Sequence, residues 1–269
     1  MPSSRRIKRF RRFLQEKLKS YQRTEVISLN DQEATKANIL HALSQLADRT
    51  QPEDFVMFYF AGHGTAQQQR FYLIPYDLGY TGERTQLDDA GLQSILRHSI
   101  SDEELERAFE KIDVGQFLLV VDACNSGQAL EAEEKRRGPM NSKGLAQLAY
   151  EKGMYILTAA QSYQAAQEAS RLGHGYLTYA LVEEGLRQAR ADAEPHDGAV
   201  LIREWFDFAA RRVPQMQEEK MKESRGLGLD LSFVESEDKI PDPAQRSIQR
   251  PRTFYRREME TQPFVIARP

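Results

Sequence analysis

Two short runs decide most of what this chain can fold into: Phe55-Val56-Met57-Phe58-Tyr59-Phe60 and Phe117-Leu118-Leu119-Val120-Val121. Each is apolar at every position instead of every second one, which is the pattern of a strand covered on both faces. Each then breaks into a small, polar segment that contains glycine. The first ends in Ala61-Gly62-His63-Gly64 and the second in Asp122-Ala123-Cys124-Asn125-Ser126-Gly127. If the two strands are parallel neighbours, an imidazole and a thiol meet at the carboxyl edge of one sheet, where open α/β sheets take their ligands.

The rest of the chain supplies a scaffold for such a sheet. Lys36–Asp48 carries Ile39, Leu40, Leu43 and Leu46 on one side and predicts a helix. Ser101-Asp102-Glu103-Glu104 reads as a capping box that opens a helix through Leu105, Phe109 and Ile112. Further helices are expected over Tyr176–Arg190 and Val200–Val213. Thr24–Leu29, Arg70–Ile74 (stopped by Pro75), Met154–Ala159 and Phe264–Ala267 read as strands. Tyr76–Ser99 is expected to be mostly irregular, and residues 214–253 to be charged loop or partly disordered. This alternation predicts an α/β sandwich with a mainly parallel sheet.

Two charged segments stand out. Residues 3–21 predict an amphipathic helix with Ile7, Phe10, Leu14 and Leu18 inside a basic surround. A solvated surface helix accounts for it better than a nucleic-acid or lipid-binding arm, because charge runs usually mean solvation. Residues 128–143 are polar and charged, and form the best internal linker.

Composition narrows the function. With 269 residues and 40% apolar content the chain can bury a full core. A net charge of -3 gives no reason to expect nucleic acid or a membrane as partner. The single cysteine rules out an intrachain disulfide and cysteine-rich zinc motifs. No run reaches membrane length and the N-terminus has no apolar signal core, so a cytoplasmic protein is expected. No cofactor or metal is expected. Calcium activation stays open, although Asp88-Asp89 and Asp102-Glu103-Glu104 read more simply as helix-end charges than as a loop of alternating oxygen ligands.

The chemistry concentrates at the two strand ends. A thiol becomes a strong nucleophile as thiolate, and a histidine within hydrogen-bond reach can take its proton and later give one to a leaving amine. Cys124 and His63 fit those catalytic roles. The backbone N–H groups of Gly64 and Cys124 are candidates for an oxyanion hole, with glycine at 64 allowing close approach of a substrate backbone. Asp122, two residues before the thiol, shares its side of an extended chain and could receive a basic substrate side chain. Each residue also has an ordinary reading: an inert core thiol, a hydrogen-bonded histidine, a turn-forming aspartate. Gly173-His174-Gly175 repeats the glycine-flanked histidine without a strand before it, so His63 is preferred.

These segments resemble the caspase-like cysteine peptidases, in particular the bacterial metacaspase and orthocaspase-type branch (clan CD). Tyr59-Phe60-Ala61-Gly62-His63-Gly64 resembles that family's histidine motif, and Asp122-Ala123-Cys124-Asn125-Ser126-Gly127 its cysteine motif. Thr158-Ala159-Ala160-Gln161 through Ala165-Ala166-Gln167-Glu168 and Gly175-Tyr176-Leu177-Thr178-Tyr179-Ala180-Leu181 resemble two later segments, in the same order. The resemblance implies a caspase-haemoglobinase-like three-layer αβα sandwich. It implies hydrolysis of peptide bonds through a thioester acyl-enzyme, with protein or peptide substrates. Asp122 would then sit in the S1 pocket and favour arginine or lysine before the cut. It also implies one catalytic domain over 1–269: a large-subunit-like part, 1–127, a processing linker, 128–143, and a small-subunit-like part, 144–269. Self-cleavage is expected after Lys135, Arg136 or Arg137. The family opens on an apolar strand that this chain lacks ahead of its basic helix. That strand either lies upstream of this sequence or is supplied by another chain or a regulatory partner, and a catalytically inactive caspase-like module acting by protein interaction is the alternative reading.

Overall fold

The structure, a computed structural model, describes residues 23–67, 70–82, 86–125, 143–162, 175–193, 195–226, 232–234, 245–255 and 264–268. The basic segment 3–21, most of the linker with Lys135, Arg136 and Arg137, and His174 lie outside them.

A six-stranded sheet forms the middle layer. Its parallel centre is β1 (Phe55–Gln67), β4 (Gln116–Asn125) and β5 (Tyr155–Ser162). On one side β2 (Arg70–Ile74) folds back antiparallel on β1, and β3 (Ile100–Ser101) pairs antiparallel with β2. On the other side β9 (Arg252–Phe254) runs antiparallel to β5. The order is therefore β3-β2-β1-β4-β5-β9. β4 lies at its centre, and Leu118, Leu119 and Val120 have no exposed surface. β2 reaches only residues 63–67 of β1, and Met57, Phe58 and Phe60 remain half-buried.

Helices cover both faces. On one lie α1 (Lys36–Arg49), α3 (Asp102–Glu110) and α4 (Lys143–Glu151). Ile39, Leu43, Leu105, Phe109, Leu148 and Ala149 from these helices pack against Val56, Phe117, Leu119, Val121 and Ile156 of the sheet. On the other face lie α5 (Tyr176–Tyr179), the wider-wound π-helical turn α6 (Ala180–Arg187) and α7 (Ile202–Gly226). Leu177, Leu181, Trp205 and Phe206 from these pack against Leu118, Val120 and Leu157. The expected three-layer sandwich with a mainly parallel centre is thus the observed one. A small ladder of β6 (Val200–Leu201) and β10 (Val265–Ala267) and another of β7 (Ser232–Val234) and β8 (Gln245–Ser247) complete the described strands. Among the described residues no helix is long and apolar enough to cross a membrane.

Local signals explain the helix ends. Thr35 caps α1 by accepting from the Asn38 N–H at 3.2 Å. The expected capping box is present: Ser101 accepts from the Glu104 N–H at 3.2 Å, and Glu104 accepts from the Ser101 N–H at 2.9 Å. α4 stops at Gly153, whose φ of 64° suits a residue without a side chain.

Several expectations are corrected. Thr24–Leu29 is not assigned as strand and pairs with no ladder among the described residues. The stretch read as irregular holds α2 (Asp89–His98), capped by Asp88, which accepts from the Gly91 N–H at 2.8 Å. The helix expected over Val200–Val213 starts two residues later and continues past Pro214 to Gly226. Finally, the polar segments that carry His63 and Cys124 do not break the strands at those residues. The hairpin to β2 prolongs β1 to Gln67, and β4 runs on to Asn125, so both residues stand inside strands.

Candidate active site

Sheet register builds the site. β1 and β4 pair in parallel from Phe55 opposite Gln116 to Gly64 opposite Asn125, and in that ladder His63 is the partner of Cys124. Neighbouring strands lie about 4.8 Å apart, so the two positions are adjacent at the carboxyl-terminal end of the parallel centre. His63 is exposed to solvent.

Successive residues of a strand alternate between its faces. The positions on the α5–α7 face therefore line up in rows across β1, β4 and β5. Tyr59, Val120 and Leu157 form one row; Ala61, Asp122 and Ala159 the next; His63, Cys124 and Gln161 the last. Asp122 stands one row below the His63–Cys124 pair, a drop of about 6.6 Å for two residues. It is flanked in register by two alanines, so nothing bulky shares its row.

Asp122 is almost sealed, with 2% of its surface exposed. Its Oδ2 accepts a hydrogen bond from the Thr178 hydroxyl at 2.9 Å. The Thr178 oxygen lies 2.5 Å from the Tyr59 hydroxyl. A threonine has one hydroxyl proton. Since Thr178 donates it to the carboxylate, Tyr59 must donate to Thr178. The result is a one-way chain, Tyr59 to Thr178 to Asp122, drawn from β1, α5 and β4.

Sequence reasoning assigned neither Tyr59 nor Thr178 a role, although both fall in the motif segments. A signal was available. A tyrosine inside a doubly covered strand and a threonine in the first turn of a buried helix both need partners for their hydroxyls.

Gly64 stands inside β1, in register with Asn125 on one side and Leu73 on the other. A Cβ there would lie 2.8 Å from the Phe71 ring. Phe71 of β2 packs directly on this position, which is a further reason for the glycine. Among the described residues no cluster of three or more histidine, cysteine, aspartate or glutamate side chains is placed to hold a metal ion.

Comparison with known proteins gives the following. No curated protein matches the chain. Among solved structures it is similar to the crystal structure of protein GSU0716 from Geobacter sulfurreducens, with 14% identity, a TM-score of 0.44, and 85% of this chain and 76% of that one covered. The family model described as "Caspase domain" matches residues 7–229, the greater part of the sequence, and the chain therefore belongs to the caspase-domain family of cysteine peptidases.

Proposed function

We propose that the chain is an active cysteine endopeptidase of the metacaspase type, cutting after arginine or lysine, with Cys124 as nucleophile and His63 as general base and acid. One observation carries this reading: the two residues are register partners on adjacent parallel strands at the sheet's carboxyl edge. His63 takes the thiol proton, and the sulfur attacks the scissile carbonyl carbon. The C–N bond breaks as His63 returns a proton to the departing amine, leaving a thioester on Cys124. His63 then deprotonates a water that attacks the thioester, the C–S bond breaks, and the acid product leaves with the thiol restored. The negative charge on the carbonyl oxygen is met by backbone N–H groups, those of Cys124 and Gly64 being the proposed donors.

The basic preference is supported by Asp122. Its drop of about 6.6 Å below the reacting pair suits the length of an extended arginine or lysine side chain. In register it stands between Ala61 and Ala159, whose small side chains leave its row narrow. Self-processing follows from the same preference and is assigned to the bond after Lys135, Arg136 or Arg137. Intact mass would show fragments from the wild type and a single chain from Cys124→Ala.

The deciding experiment is turnover of fluorogenic peptides ending in arginine, lysine or aspartate, with and without a thiol alkylator. Turnover restricted to the basic peptides, lost on alkylation and absent in Cys124→Ala, is the expected result. No turnover together with no labelling of Cys124 would favour a binding module without catalysis.

A further inference from the structure

We propose that Tyr59 and Thr178 are positioning residues for Asp122 and give the site a preference for arginine over lysine; this rests on the basic S1 reading above. The carboxylate is buried, with Asp122 2% exposed, on the sheet face that carries the cluster of Val120, Leu157, Ala159, Leu177 and Leu181. A charge there is costly unless donors are supplied. Thr178 supplies one at 2.9 Å and is itself only 3% exposed. Tyr59, at 2.5 Å from the Thr178 oxygen, fixes which way that hydroxyl points.

Tying one carboxylate oxygen from a fixed direction sets the plane of the whole group. That matters differently for the two basic side chains. A guanidinium is a rigid planar fork that binds a carboxylate best through two parallel hydrogen bonds, so it depends on the plane. An ammonium is a point charge with three rotatable donors and is nearly indifferent to it. A carboxylate has about four acceptor sites, so more than one donor can share it. A chain built only to satisfy a buried aspartate would place no demand on the choice between arginine and lysine.

The test is kcat/KM for matched arginine and lysine peptides with wild type, Thr178→Val, Thr178→Ser and Tyr59→Phe. Thr178→Val should lower the arginine-to-lysine ratio by about tenfold, mainly through KM, the scale of one hydrogen bond to a charged group. Tyr59→Phe should lower it by about threefold, and Thr178→Ser, which keeps the hydroxyl, should stay within about twofold of wild type. Should Thr178→Val fail to fold, Tyr59→Phe alone decides, and an unchanged ratio overturns the proposal. Equal loss on both peptides, or no change in the ratio, would mean the chain of hydroxyls is structural. A wild type that cuts both peptides without preference ends this inference and leaves the peptidase reading intact. A wild type that cuts neither ends both.

Discussion

The two faces of the central sheet are made from the same strands, yet they are unlike. Toward α1, α3 and α4, the sheet presents Val56, Phe58, Phe60, Phe117, Leu119 and Val121, packed on the aromatic and aliphatic side chains of those helices. Toward α5, α6 and α7, it presents rows that grow more polar along the strands: Met57 and Leu118, then Tyr59 and Val120, then Ala61 and Asp122, then His63 and Cys124. Both faces carry helices, so helical cover alone does not separate them. Register does. A slip of one residue would carry every one of these side chains to the opposite face. The same ladder that holds the fold therefore also decides that His63, Cys124 and Asp122 stand at positions on one face.

This contrast predicts two kinds of variant. Cys124→Ala and His63→Ala should each lower turnover by about 10⁴-fold or more, because nucleophile and base act as a unit. His63 is exposed, so the melting temperature of His63→Ala should stay close to wild type. A large fall in melting temperature would mean that the polar end of this face is structural. On the other face, Leu119→Ala removes a side chain with no exposed surface and should cost about 2–5 kcal/mol in urea unfolding. The arginine or lysine preference of the remaining folded protein should not move; if it did, the division between the faces would fail. Asp122→Asn comes next. It should lower kcat/KM for basic peptides by about a hundredfold relative to a norleucine peptide, and an unaltered selectivity would remove Asp122 from S1.

How much of this was legible in the sequence follows the range of the forces involved. The parallel centre was readable because doubly covered strands are apolar throughout, and the α3 capping box because its two hydrogen bonds span three residues. α2 was missed because its buried positions are only Gly91 and Leu96, too few to print a stripe. α7 was cut short at Pro214 because proline removes one helical N–H. In the fold Val213, Met216 and Gln217 stay buried on either side of it. Arg212 also bridges the interruption, binding Glu184 of α6 and Glu219 a turn beyond the proline. The Tyr59–Thr178 contact joins residues 119 apart, a distance over which no periodicity speaks.

The smallest effect concerns the helical layer over the apolar face. Lys36, at the start of α1, reaches the Ser99 carbonyl at 2.8 Å and the Glu104 carboxylate at 2.8 Å, tying α1 to the head of α3. Burial pushes the Glu104 carboxyl up, but the hydrogen bond from Lys36 and those from the Ser101 backbone and hydroxyl outweigh it and hold the group below its ordinary value. A carboxyl depressed by folding adds stability above its unfolded value, and that stability is lost as pH falls through the folded one. Wild type should thus lose stability on acidification from this pair. Lys36→Met should be about 1 kcal/mol less stable near neutral pH, with a shallower loss toward acid and unchanged peptide selectivity. Urea midpoints at a series of pH values would measure it. Parallel curves for the two proteins would show that Lys36 holds the helices through its carbonyl contacts alone, and a shift in peptide selectivity would show that the two faces are coupled through the sheet.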